Sequence, residues 1–163
     1  HKLTFKVLNN ERTGYYETNK EYVFYHYSGQ KTEPLKGLFK SKESTRSSID
    51  LVNRQSVAKT NKPIQIKESN ITISGWAIDE PAQKTASAVI MEINGKMYKC
   101  QYGLSRPDVS KALKNSELTS CGWKIVIPTD VIGKGKHKLI LKIVNNDKTQ
   151  YFEINKEVLI EVI

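Results

Sequence analysis

Arginine is scarce in this basic chain of 163 residues. The net charge is +9, yet arginine occurs only at Arg12, Arg46, Arg54 and Arg106, so the excess positive charge rests mainly on lysine. The excess is also spread over both parts of the chain instead of forming one patch. Because recognition of phosphates and base edges usually depends on arginine, we expect no nucleic-acid partner.

Histidine and cysteine are few as well. The three histidines are scattered, and the two cysteines, Cys100 and Cys121, do not form a Cys-x-x-Cys pair. Metal sites in proteins need closely spaced ligands of these types. We therefore expect neither a metal site nor another cofactor.

Motifs of known catalytic sites are missing or incomplete. The chain has no Gly-x-Ser-x-Gly elbow, and Gly133-Lys134-Gly135-Lys136 lacks the spacing and the hydroxyl residue of a phosphate-binding loop. Ser56-Val57-Ala58-Lys59 matches the Ser-x-x-Lys string of penicillin-interacting enzymes, but it lies in a polar loop. We expect no enzyme and no catalytic residues.

Long apolar runs are also lacking. No stretch reaches the length of apolar residues that crosses a bilayer. The sequence opens on His1-Lys2-Leu3, with neither an initiator methionine nor a signal-like segment. We expect it to be a mature or excised part of a larger protein.

What the sequence does contain is alternation of apolar and polar residues in many short segments. These segments are punctuated by asparagine, glycine and proline, a pattern that predicts an antiparallel all-β sandwich. The stretch from Thr32 to Ser48 is polar and rich in lysine and serine. We therefore predict an N-terminal β-hairpin extension with its linker at residues 1–48 and the sandwich at residues 49–163.

A hairpin at Asn94-Gly95 is the clearest local prediction. A type I′ turn needs positive φ at both central residues, and Asn-Gly provides it at the lowest cost. The turn pairs Ile93 with Lys96 and Met91 with Tyr98. Six side chains are then expected on the core face: Val89, Met91, Ile93, Tyr98, Cys100 and Tyr102.

Both cysteines are expected to point inward, since Cys121 shares the parity of Trp123 and Ile125. A Cys100–Cys121 disulfide would close a loop of about twenty residues and contribute about 3 kcal/mol. The alternative is two buried thiols that act as small apolar side chains. Both possibilities remain open from the sequence.

One segment predicts a short connecting helix, from Ser105 to Lys114. Ser105 is a candidate N-cap, and Pro107 suits the first turn. Arg106 and Asp108 are candidate ligand-binding residues. The alternative for this pair is a structural contact that fastens the helix to a neighbouring strand.

Aromatic residues are concentrated near the N-terminus. The candidate ligand-binding residues there are Tyr22, Tyr25 and Tyr27, in a group that also contains Tyr15, Tyr16 and Phe24. An exposed tyrosine platform would stack on sugar rings or on a partner protein. The alternative is packing of these rings into the sandwich or against a neighbouring strand or subunit.

Four lysines surround the penultimate predicted strand: Lys134, Lys136, Lys138 and Lys142. Lysines at an exposed sheet edge prevent unwanted strand pairing. The alternative role is contact with an anionic cell-wall polymer, which predicts binding that weakens steeply with salt.

Several strings together resemble a bacterial Ig-like β-sandwich accessory module. They are Ile49-Asp50-Leu51-Val52-Asn53, Ser74-Gly75-Trp76-Ala77-Ile78-Asp79, Asn94-Gly95-Lys96, Tyr102-Gly103-Leu104-Ser105-Arg106-Pro107-Asp108-Val109 and Cys121-Gly122-Trp123. Similar modules occur in extracytoplasmic parts of bacterial envelope proteins, including tails of membrane proteins of the glycosyltransferase type. The resemblance covers about residues 49–155, and Cys121 departs from it because a small polar residue is expected there.

The resemblance implies a non-catalytic accessory or interaction module located outside the cytoplasm, at the cell surface or in the periplasm. Its partner would be a protein or a cell-envelope glycan. Two other functions are compatible with the sequence. One is a carbohydrate-binding module that uses the tyrosine platform, and the other is a fragment of an envelope enzyme with Asp79, Arg106 and Asp108 in one cleft.

Overall fold

The computed structural model describes residues 34–59 and 62–163, together with four short strands nearer the N-terminus. The chain divides into two compact units, His1–Thr32 and Glu33–Ile163. In the first unit, β1 (Lys2–Leu3) pairs with β4 (Tyr22–Val23), and β2 (Lys6–Leu8) pairs with β3 (Tyr15–Glu17), both antiparallel. The division lies earlier than the predicted boundary after residue 48.

The second unit is an all-β sandwich of two sheets, as predicted. Its strands are β5 (Phe39–Lys40), β6 (Ser47–Val52), β7 (Gln55–Ser56), β8 (Ile64–Ile66), β9 (Asn70–Asp79), β10 (Lys84–Thr85), β11 (Ala88–Ile93), β12 (Lys96–Lys99), β13 (Gln101–Leu104), β14 (Gly122–Pro128), β15 (Gly135–Val144) and β16 (Gln150–Val162). The helices are α1 (Pro107–Ala112) and α2 (Thr129–Ile132), with 3₁₀ turns at Val57–Lys59 and Ser116–Ser120.

The sheets are named here after their central strands. The β9 sheet has the order β13-β14-β9-β6-β7, with β10 also beside β9. The β15 sheet has the order β12-β11-β15-β16-β5, with β8 also beside β16. All pairings are antiparallel except those of β5 and β8, which run parallel to β16.

The main core lies between the two sheets because alternate residues of each strand point inward. The Asn94-Gly95 turn has φ of 54° and 73°, and Ile93 pairs with Lys96 and Met91 with Tyr98, as predicted. The six side chains predicted for the core face all lie in or against this core. Turn chemistry alone therefore gave the correct register for this hairpin.

A second, smaller core lies beneath the helical segment between β13 and β14. It consists of Ile78, Val109, Leu118 and Cys121, with Trp76 and Leu113 against it. The predicted helix is present but shorter, and its N-cap is Arg106 instead of Ser105, with no side-chain capping hydrogen bond. Pro107 occupies the first turn as predicted.

Candidate functional site

The surface of the sandwich has shallow hollows. One, of about 580 Å³, is lined by residues of β7, β8 and the segment after β8. Another, of about 500 Å³, lies beside Lys40–Ser44 and Glu153. Within the described residues, no group of three or more His, Cys, Asp or Glu side chains is arranged to hold a metal ion.

Arg106 and Asp108 are brought together, and a third residue joins them. Arg106 Nε and Nη2 donate to the two carboxylate oxygens of Asp108 at 2.9 and 2.7 Å. Arg106 Nη1 donates to Asp50 Oδ2 in β6 at 2.7 Å. These hydrogen bonds from Arg106 lower the pKa of Asp108 to about 2. The guanidinium therefore fastens the start of α1 to β6.

Gly122 makes this contact possible. A Cβ atom at this position would lie 2.8 Å from Leu104 O and 2.9 Å from Arg106 Cγ. The stem of Arg106 therefore passes closely over β14 on its way to Asp50. This geometry fits the structural interpretation of Arg106 and Asp108, while a ligand for the pair stays a prediction.

Asp79 belongs to a different network. It is buried, and its Oδ2 accepts from the backbone N–H of Asn146 at 2.8 Å. Its Oδ1 accepts a longer bond, 3.4 Å, from the N–H of Ala82. Among the contacts of the described residues, Asp79 has no hydrogen bond or ion pair with Arg106 or Asp108. Of the three residues considered for an enzyme site, Arg106 and Asp108 therefore contact each other, and Asp79 belongs to a separate hydrogen-bond network.

The predicted tyrosine platform lies outside the described residues. Tyr22 belongs to β4, but its side chain is not described, and Tyr25 and Tyr27 fall wholly outside. Their role in ligand binding stays a prediction.

The edge-guarding role predicted for four lysines is wrong, because β15 lies inside its sheet between β11 and β16. Lys142 is buried and contacts Glu92 at 3.0 Å and Glu153 at 2.5 Å. Lys138 pairs with Glu157. Sequence alternation could not reveal this, since the order of strands in a sheet depends on distant segments.

The contacts of Lys142 form part of a row of charges across four strands. Glu153 also accepts from Lys40 in β5 at 2.7 Å, so the row runs Glu92, Lys142, Glu153, Lys40 across β11, β15, β16 and β5. Hydrogen bonds from Lys142 and Lys40 lower the pKa of Glu153. We call this row the charge ladder. No local pattern in the sequence indicates this row, because its four members come from four separate strands.

Lys134 and Lys136 remain exposed, together with Lys96 on the neighbouring hairpin turn. Buried His137 joins the two turns: its Nε2 donates to Gly133 O at 2.8 Å, and its Nδ1 accepts from Asn94 Nδ2 at 2.9 Å. We call the three lysines the basic end of the sandwich. Carboxylates are also close, since Glu161 pairs in register with Lys136, and Asp130 lies in the preceding helix α2.

Of the two possibilities left open for Cys100 and Cys121, the structure shows the buried thiols: both cysteines are free and buried. Gln101 pairs with Lys124, so Cys100 lies level with Ile125 of β14, whereas Cys121 precedes the first residue of that strand, Gly122. The three residue steps from Gly122 to Ile125 already span about 10 Å, beyond the usual Cα separation in a disulfide. Cys100 lies in the main core and Cys121 in the smaller one.

None of the helices among the described residues is long and apolar enough to cross a bilayer. No protein-family model matches the chain, and no curated protein matches it in sequence. Among solved structures, the endo-β-1,4-mannanase from Thermotoga petrophila matches with 10% identity and a TM-score of 0.47. The match covers 76% of this chain, which spans about a fifth (20%) of the length of that enzyme's chain.

Proposed function

We propose that the sandwich is a non-catalytic accessory module of a bacterial cell-envelope protein and works outside the cytoplasm. Its role is to contact another component of the envelope. The proposal combines the resemblance of its sequence strings to such modules with the use that the fold makes of its charged residues.

The charged residues singled out in the sequence make structural contacts within the fold. Arg106 and Asp108 connect α1 to β6, and Asp79 accepts from two backbone N–H groups. Lys142 lies between two glutamates in the charge ladder. Residues engaged in this way stabilise a scaffold and are poorly placed to exchange protons with a substrate.

The proposal depends mainly on the exposed lysines of the basic end. Lys96, Lys134 and Lys136 are exposed on two turns that the Asn94–His137 hydrogen bond holds together. A fixed group of ammonium ions attracts anionic polymers at low ionic strength. We therefore propose an anionic cell-wall polymer as the component that this end contacts.

Retention on an immobilised poly(glycerol phosphate) column tests this proposal. The full chain should be retained at low salt and released as salt rises, because screening weakens exposed charge interactions. Replacing Lys96, Lys134 and Lys136 together by glutamine should weaken retention at least tenfold, since each lysine near an anionic surface contributes about 1 kcal/mol.

The matched control replaces three exposed lysines elsewhere, Lys84, Lys111 and Lys124, by glutamine. This variant has the same net charge as the first. Equal loss of retention in both variants would show that only net charge matters and would contradict a role for the basic end. Weak retention that does not respond to salt would contradict the polymer itself.

A further inference from the structure

The outward face of the β9 sheet carries Trp76. Ile73 and Ala77 of the same strand lie in the main core, so Trp76 points to the opposite face. Its register partners are small, Gly122 in β14 and Ser48 in β6. Trp76 packs against the smaller core but is only half-buried. Part of the indole is therefore open to solvent.

The N–H group of this indole is unpaired. Of the two tryptophans in the chain, Trp123 has its Nε1 atom buried without a hydrogen-bond partner. Trp76 Nε1 also donates to no atom of the described residues, yet it is not one of their buried unpaired atoms. The N–H of Trp76 therefore faces solvent and is able to donate to a bound molecule.

Arg106 crosses the same face of the sheet. A Cβ atom on Gly122 would meet Arg106 Cγ at 2.9 Å, so the stem of Arg106 lies over the glycine that pairs with Trp76. From there Arg106 Nη1 reaches Asp50 in β6, and β9 lies between β14 and β6. The side chains of Arg106 and Asp50 are 25% and 32% exposed. The guanidinium therefore lies at the surface over β9, on the face that carries Trp76.

The contacts within the fold use only part of this group. A guanidinium has five N–H donors, and Arg106 uses three of them, one to Asp50 and two to Asp108. Asp50 Oδ2 accepts from Arg106, whereas Asp50 Oδ1 accepts no hydrogen bond from the residues that the structure describes. The remaining guanidinium N–H groups, this oxygen and the indole N–H are thus available together. We call Trp76, Arg106, Asp50 and Asp108 the Trp76 face.

The charges around Trp76 nearly balance. Asp50 and Asp108 flank the guanidinium, and exposed Lys124 lies on the same face because it pairs with Ser74, two residues before Trp76. A balanced group of this kind has no excess charge that attracts a polyanion or a polycation. It suits an uncharged ligand that both donates and accepts hydrogen bonds.

We propose that the Trp76 face binds two adjacent sugar rings of an uncharged glycan. A pyranose ring has an apolar C–H face, which stacks on an indole, and hydroxyl groups that both donate and accept. One hydroxyl accepts from Arg106 and donates to Asp50 Oδ1, and the N–H at the edge of the indole donates to the next ring. The proposal goes beyond the function proposed above, since it adds a second ligand away from the lysines of the basic end.

NMR titration of the full chain with cellohexaose tests the proposal. This probe is uncharged, and its equatorial hydroxyls and linkages leave the ring faces flat for stacking. We expect a saturable shift of the indole N–H of Trp76. The indole N–H of Trp123 is the internal control and should not shift, because Trp123 is only 1% exposed in the main core. Poly(glycerol phosphate) should leave the signal of Trp76 unchanged.

A variant pair adds a second measurement. Asp50→Asn keeps the size of the side chain and an oxygen for Arg106, but it replaces the unused acceptor by an N–H donor. Because a charged acceptor is lost, the affinity for cellohexaose should fall at least tenfold. The matched control is Asp130→Asn, which removes an exposed carboxylate in α2 and should bind within twofold of the wild type. Far-ultraviolet circular dichroism verifies the fold, and if Asp50→Asn does not fold, the comparison of the two indoles in the wild-type chain decides.

Four results would overturn the proposal. They are an unchanged Trp76 signal at millimolar cellohexaose, equal shifts of both indoles, equal losses of affinity in the two variants, and a shift caused by a hexalysine peptide instead of the glycan. The last result would identify a cationic protein segment as the occupant. Retention on the anionic polymer depends on Lys96, Lys134 and Lys136, so the failure of either proposal is distinguishable from the failure of the other.

Discussion

At the residue scale, Gly75 has the least room for a side chain among the glycines that the structure describes. It lies in the middle of β9, where a Cβ atom would approach Ser48 O to 1.9 Å and Trp123 Cζ2 to 2.9 Å. The backbone of β6 and the buried indole of Trp123 therefore both require a residue without a side chain.

We expect Gly75→Ala to destabilise the sandwich by about 3 kcal/mol, because the added methyl forces backbone and indole apart. Urea unfolding followed by tryptophan fluorescence measures the loss. The control is Gly37→Ala, since Gly37 has φ of 79° but nothing within 4 Å of the added atom. That change should cost only about 1 kcal/mol, because a residue with a Cβ atom is disfavoured in the left-handed backbone conformation. A similar cost at both glycines would contradict the packing explanation.

Tyr102 shows how a predicted core residue can have a polar role. Its hydroxyl donates to Ala77 O at 2.8 Å and accepts from Ala86 N–H at 3.0 Å. Burial raises the pKa of Tyr102. Alternation predicted that this side chain faces inward, but the two backbone partners depend on how distant strands pack.

Tyr102→Phe should therefore cost about 1–3 kcal/mol, because it leaves a donor and an acceptor without their partner. The control is Tyr151→Phe, a half-buried ring whose stacking under Lys142 does not need the hydroxyl. The control should stay within about 0.5 kcal/mol of the wild type. Thermal unfolding by calorimetry compares the two, and equal losses would contradict the bridging role.

At the scale of elements, local chemistry determined what the sequence could predict. The β11–β12 hairpin was predicted in register because Asn-Gly selects the turn. The edge position of β15 was predicted wrongly, because the sequence of that strand does not determine which strands pair with it. The Arg106–Asp50 contact spans 56 residues and depends on a register shift in β6, so no local pattern could reveal it.

The charge ladder links four strands of the β15 sheet and makes stability depend on pH. Burial opposes the charge on Lys142, but hydrogen bonds from Lys142 to Glu153 and Glu92 raise the pKa of Lys142. The pKa of Glu153 is lowered. The stabilisation from Glu153 is therefore complete above the pKa of an unfolded glutamate, about 4.3, and it is lost as the pH falls through the lower folded value.

Lys142→Met should cost roughly 2–4 kcal/mol at pH 7, because it leaves Glu92 and Glu153 without their shared cation. The cost should shrink as the pH falls below about 4.3 and through the lowered pKa of Glu153, because that carboxylate then loses its charge. Lys138→Met on the same strand is the control, since its exposed pair with Glu157 contributes at most about 1 kcal/mol. Urea unfolding between pH 3 and pH 7 measures both, and a cost of Lys142→Met that does not vary with pH would contradict the ladder.

At the scale of the whole molecule, the chain passes directly from one sheet of the sandwich to the other along one side. β12 is an edge of the β15 sheet, and after Cys100 the chain continues directly as β13, an edge of the β9 sheet. The sequence predicted a sandwich but not this transfer. The sequence left the disulfide and the two buried thiols open for the same reason, because the transfer determines where Cys100 lies along β14.

Both thiols should therefore resist reagents in the folded protein. Burial raises the pKa of Cys100 to about 12 and also raises the pKa of Cys121, so little reactive thiolate forms near neutral pH. A colorimetric thiol assay without reductant should detect almost none in the native chain and two in guanidinium. Fewer than two thiols in guanidinium would contradict the structure.

The parallel pairing of β5 with β16 has a mechanical consequence. Tension applied through β5 and Ile163 would act nearly along β16, because β5 pairs in parallel with the first residues of β16 and Ile163 directly follows its last residue. The ladder bonds on both sides of β16 would then bear the load together in shear instead of opening one after another. A domain pulled in this direction resists forced unfolding through its rate of rupture, so its lifetime under load is governed by the unfolding rate and not by equilibrium stability.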